Sequence, residues 1–77
     1  MKASELSKGK KHTIVGIEES DFFLNLIELG IHPGKEIELI HIAPFKGPMA
    51  FSVSGNIIAL RIEEAESITV EQNPDRV

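Results

Sequence analysis

The chain has no cysteine among its 77 residues. That absence excludes disulfide staples, thiolate zinc sites and cysteine nucleophiles together. It suits a reducing compartment, so a cytoplasmic location is expected. Long apolar runs are also missing. Nothing approaches the roughly 18 apolar residues of a membrane span, and MKASELSKGKKH carries no apolar segment behind its lysine, so neither a signal peptide nor a spanning helix is expected. Positive charge is scarce as well. Eight Lys and Arg face twelve Asp and Glu, a net charge of −4. A duplex binder neutralises phosphates with clustered cations, so the surface as a whole argues against nucleic acid. The local exception is Lys8, Lys10 and Lys11, which reads as a solvated turn ahead of a strand.

What is present is a single small domain, expected over residues 1–77, with an arm at 1–9 and a frayed tail at 72–77. A chain of this size buries only about 60% of its unfolded surface and has little room for a deep cleft. The arm is polar apart from Leu6, and Gly9 ends it in a turn. HTIVGIE, His12 to Glu18, reads as a first strand, with Gly16 marking a bend. Ser20 can cap a helix over Asp21–Leu29, with Glu18, Glu19 and Asp21 complementing its positive end. Phe22, Leu26 and Leu29 then share one narrow inward face.

Gly30 can hold the left-handed position that closes the helix, with Ile31 folding back on the last turn. Pro33-Gly34 carries the type II signature. Glu36 to Leu39 alternate as a strand, and the adjoining Leu39-Ile40 predicts a bulge. APFKGP, Ala43 to Pro48, is a loop, and Met49 to Ser54 alternate as a half-buried strand. Gly55-Asn56 reads as a type II′ hairpin turn leading into a strand over Ile57–Ile62. Glu63–Glu66 fits one helical turn, and Ser67–Glu71 a last strand with Ile68 and Val70 inward. Five short strands with one inserted helix, at about residues 21–29, predict a mainly β, SH3-like barrel, because closure removes exposed edges.

The chemistry-bearing patterns are sparse, and no enzyme is expected. No serine lies in a strand–turn–helix elbow. Gly30-x-x-x-Gly34 lacks the lysine and hydroxyl of a phosphate loop. The paired carboxylates Glu18-Glu19 and Glu63-Glu64 are sequence neighbours, which suits solvated charge better than acid–base work. His12, His32 and His41 are the three nitrogen ligands for a metal, but their spacing selects no site, and surface positions for His12 and His41 explain them as well. The helix says more. Around it Phe23, Ile27 and Leu24 follow Phe22 at about 100°, 140° and 200°, far beyond the arc of about 100° that packing on one barrel needs. Phe23, Leu24 and Ile27 are therefore candidate partner-binding residues, to be covered by the arm and the Ala43–Pro48 loop, by a second copy or by another protein.

LIELGIHPG followed by EIELI, an AP loop, SVSGNIIALR and EEAESITV closely resembles the FeoA family of small bacterial proteins associated with ferrous iron uptake. The most specific parts are Leu26, Leu29, Gly30, Ile31, Pro33 and Gly34, then Ile58 to Arg61 with Ala65, Ile68 and Val70. The resemblance implies an SH3-like barrel in the cytoplasm that binds or regulates FeoB, a membrane transporter with a cytosolic G domain. It implies at most a weakly held divalent transition metal such as Fe2+. A related domain ends the iron-dependent repressors of the DtxR type, so a small metal-sensing domain using His12, His32 and His41 is the competing expectation. With no helix-turn-helix ahead of it, the chain is not expected to be a whole repressor. Two departures stand out: family members often carry basic or polar residues where Phe22, Phe23 and Leu24 lie, and Lys46-Gly47-Pro48 replaces a frequent Gly-Asp-Pro.

Overall fold

Alternation along β3 (Met49–Val53) shows how the sheet is made: Met49, Phe51 and Val53 are buried while Ala50 and Ser52 are half-exposed between them. The computed structural model describes residues 1–72, so the expected tail lies outside the described residues beyond Gln72. Its other strands are β1 (Lys11–Ile17), β2 (Glu36–Ile42), β4 (Asn56–Leu60) and β5 (Ile68–Val70), with helices α1 (Phe23–Glu28) and α2 (Ile62–Glu66). The strands form one antiparallel sheet in the order β4-β3-β2-β1-β5. This is the expected mainly β arrangement with a small inserted helix. Hydrogen bonding does not close it into a ring, because β4 and β5 lie at opposite ends of the order.

Two bulges coil the sheet around its core. β1 pairs with β2 through Lys11–Thr13, then with β5 from Ile14 onward, with a register shift between Ile14 and Gly16. The bend expected at Gly16 is therefore present. β2 shifts register against β3 between Leu39 and His41, which is the bulge that Leu39-Ile40 predicts. Inside the curve Ile14, Leu26, Ile31, Ile37, Leu39, Phe51, Leu60 and Ile68 are almost wholly buried. Each such side chain contributes on the order of 1.5–3 kcal/mol by leaving water.

The helix ends as its sequence dictates but starts later. Gly30, at φ +95°, donates its N–H to the Ile27 carbonyl at 3.0 Å, and Ile31 donates to Leu26 at 3.1 Å. That is a Schellman ending, with the buried Ile31 against the buried Leu26. Gly34 at φ +94° and the bond from Lys35 N–H to the His32 carbonyl complete the turn at Pro33-Gly34. At the other end Ser20 Oγ accepts from Phe22 N–H at 3.2 Å and touches Ser67 Oγ at 3.3 Å. Residue 20 is thereby tied to Ser67, which closes α2 just before β5, so Asp21 and Phe22 form a turn and regular helix begins at Phe23. Leu29 also departs from expectation. It is 41% exposed, because the chain has begun to reverse there.

Two further expectations change. The β3–β4 turn is centred on Ser54 (φ 50°) and Gly55 (φ 92°), both left-handed, instead of Gly55-Asn56. This type I′ geometry follows the strand twist and sets Val53 opposite Asn56 and Phe51 opposite Ile58. The arm, one of the covers considered for the helix, docks elsewhere. Ala3–Glu5 form a 3-10 turn packed on α2 and β5, Ala3 and Leu6 are buried, and Val70 N–H donates to the Met1 carbonyl at 2.8 Å. Small Ala3 gave no periodic signal from which this docking could be read.

Candidate interaction surface

α1 is too short and too apolar to be satisfied by the sheet alone. Leu26 is fully buried and Phe22 packs against the core, whereas Phe23 and Ile27 are half-buried and Leu24 is 72% exposed. Residues three and four apart are neighbours on a helix, so Phe23, Leu24 and Ile27 form one continuous stripe. The arm packs on α2 and β5 and leaves Leu24 in solvent. The Ala43–Pro48 loop does not cover the stripe with its aromatic, since Phe45 is 100% exposed.

Acidic side chains flank α1 in the chain and on α2. Glu18 N–H donates to the Ser67 carbonyl at 2.8 Å, and Asn25 Nδ2 donates to Glu64 Oε2 at 3.2 Å. These links bring the β1–α1 connection against α2, and with it Glu18, Glu19 and Asp21 towards Glu63, Glu64 and Glu66. Among the described residues the one ion pair is Lys2 Nζ to Glu18 Oε2 at 3.9 Å, exposed on both sides and hence weak. An exposed apolar stripe with carboxylates nearby is a surface suited to binding.

The three histidines are not brought together. His12 is 5% exposed, in phase with Ile14 on the inward face of β1, and its Nδ1 donates to the Glu71 carbonyl at 2.8 Å. A carbonyl only accepts, so Nδ1 carries the proton. The surface position expected for His12 is thus corrected; parity with Ile14 was the available signal. His32 is exposed in the turn and its Nε2 donates to the Ile27 carbonyl at 3.0 Å, satisfying a helix-end acceptor. His41 is exposed opposite Ala50. Among the described residues no three His, Asp or Glu side chains are grouped to hold a metal ion.

Lys8, Lys10 and Lys11 are all exposed. Lys11 lies opposite Glu38 across the sheet and beside a shallow groove of about 190 Å³ that also contains Glu36, Ser52 and Ser54. Mixed charge breaks the continuous cationic track that a phosphate backbone requires. The groove is also smaller than the roughly 300 Å³ at which small-molecule sites begin. Reading the sequence missed other apolar groups at the surface: Phe45 at the loop tip, and Ile40 and Ile57, which are 42% and 66% exposed. For Ile57 the alternation of β4 was the usable signal.

Residues 1–72 match the family model described as the FeoA domain. A fusion protein of Fe(2+) transport protein A and the Fe(2+) transporter FeoB from Porphyromonas gingivalis is 33% identical over 72 residues, 92% of this chain, which spans 8% of that protein's length. The solution structure of iron(II) transport protein A from Clostridium thermocellum is 36% identical, with a TM-score of 0.85 over 92% of this chain and 44% of the other. The zinc complex of Stenotrophomonas maltophilia FeoA, described as an SH3 domain protein, is 26% identical, with a TM-score of 0.81 over 92% of this chain and 89% of the other.

Proposed function

The chain belongs to the FeoA family of ferrous iron transport, and we propose that it acts there as a non-catalytic cytoplasmic module that docks on a FeoB-type membrane transporter through Phe23, Leu24 and Ile27. The observation that carries this reading is Leu24, 72% exposed on a helix whose neighbouring apolar groups have no cover from the arm. The carboxylates near α1, Glu64 among them, fit a partner surface with basic groups, because complementary charge speeds encounter and rejects wrong partners. The P. gingivalis relative supports the pairing, since there the two functions share one chain. Linking two modules raises their effective concentration without any new contact. No helix among the described residues is long and apolar enough to cross a membrane.

The test is co-purification with the detergent-solubilised transporter, with GTP turnover measured in the presence and absence of this chain. Leu24→Glu changes an exposed side chain, so the fold is retained while capture falls at least about tenfold, the loss of one apolar anchor. Undiminished capture of Leu24→Glu would remove the helix from the interface. A second copy covering the same stripe would appear as self-association sensitive to the same substitution. The zinc bound by the S. maltophilia relative favours a second reading, a weak divalent-metal site. On that reading Zn2+ or Fe2+ shifts the ring resonances of His12, His32 and His41. Rings unmoved at millimolar metal exclude it.

A further inference from the structure

β4 is the least protected element of the molecule. It lies at one end of the sheet, and its sequence NIIAL contains no charged residue and no proline, the two usual means of blocking an edge strand. The two-residue turn makes Val53 and Asn56 a hydrogen-bonded pair, so Phe51–Ile58 and Met49–Leu60 are bonded pairs too. The N–H and C=O groups of Ile57 and Ala59 then point away from β3. Among the described residues no backbone partner meets them. The opposite end of the sheet is different, because β5 is bridged by the arm through Lys2 and Thr69 and through Val70 N–H to Met1.

We propose that β4 is a self-association edge, pairing antiparallel with β4 of a second copy about a two-fold axis through Ile58. In this register Ile57 faces Ala59 of the other copy, twice. The outward groups of both residues then meet, making about four hydrogen bonds. The side chains agree with the backbone. On the outer face a large Ile57 lies against a small Ala59, and Ile58, which packs on the edge of the core, meets its own counterpart. Nothing charged opposes anything charged. Since the other edge is already occupied by the arm, each chain offers one free edge and association stops at two.

One strand pair buries less than the roughly 1,200 Å² of a stable interface, so a transient dimer with a Kd of roughly 0.1–1 mM is expected. Sedimentation of the full chain from about 10 µM to 1 mM tests it, together with isotope-filtered NMR on a mixture of labelled and unlabelled chains. The expected result is a concentration-dependent dimer with an intermolecular contact between Ile58 α-protons. Ile57→Pro removes one outward N–H that β3 does not use. Ala59→Lys places like charges diagonally across the axis. Both variants keep the monomer's amide spectrum and weaken the dimer at least tenfold. A chain that stays monomeric at 1 mM overturns the proposal, as does a dimer undiminished in both variants. A dimer lost instead in Leu24→Glu would assign self-association to the helix and overturn it equally.

Discussion

At Gly30 the backbone stands at φ +95° and no atom from elsewhere in the fold lies within 4 Å of where a Cβ would sit, so an added methyl group meets space but an unfavourable torsion. Left-handed geometry costs an L-residue about 1–2 kcal/mol. Gly30→Ala is therefore expected to lower unfolding free energy by that amount with an unchanged urea m-value, since neither packing nor compactness alters. Gly47 is constrained differently. Its added Cβ would lie 2.8 Å from Ala43 Cβ and 3.1 Å from the Pro44 carbonyl, in a backbone conformation that is not left-handed. Between them in character are Phe45 and Lys46, at φ 59° and 58°, the centre of a turn closed by Gly47 N–H on the Pro44 carbonyl at 3.1 Å. Left-handed non-glycine residues cost on the order of 1 kcal/mol or more each and persist where the surroundings fix them. Here the fixing groups are Pro44 and the crowded Gly47.

Among the elements, those that follow a local rule were legible in advance. The Schellman ending at Gly30, the turn at Pro33-Gly34, the bulge near Ile40 and the alternation of Met49–Val53 each depend on residues within a few positions of one another. What escaped the sequence depends on distant groups. Ser20 meets Ser67 across 47 positions and shifts the helix start, and His12 meets Glu71 across 59. The arm escaped for the same reason, as its cover for β5 and α2 comes from two isolated side chains, Ala3 and Leu6. Leu6→Ala tests that cover. A buried leucine truncated to alanine costs about 2–5 kcal/mol, and in a domain this small each kcal/mol lowers Tm by about 4–8 °C. A fall of at least 8 °C is expected by differential scanning calorimetry, while a shift below 3 °C would mean that the arm contributes little. The candidate surface was legible in part: the excess apolar arc of the helix named Leu24 correctly as exposed, but could not show that Phe23 and Ile27 are half-covered.

Across the described residues, a radius of gyration of 11.3 Å is close to the roughly 11 Å of a compact chain of this length. Within it the histidines are held apart by the same packing that makes the fold. His12 is committed to Glu71 beneath the sheet, His32 to the end of α1, and His41 faces solvent on β2. His12 keeps its Nδ1 proton on Glu71 and could offer a metal only Nε2, and with the ring 5% exposed that ligation would require the chain around β1 to open. Metal bound only to the native state raises stability by RT ln(1 + [L]/Kd). For a site as weak as about 1 mM, 100 µM Zn2+ adds less than 0.1 kcal/mol, so Tm should stay within about 1 °C of its value in EDTA. The measurement is a pair of thermal melts on dilute protein, below the range where β4 edges pair. A rise of several degrees would require ligands assembled from more than one chain or a rearranged β1. The flat response is expected from one geometric fact, that this fold turns its histidines towards backbone carbonyls and solvent and away from each other.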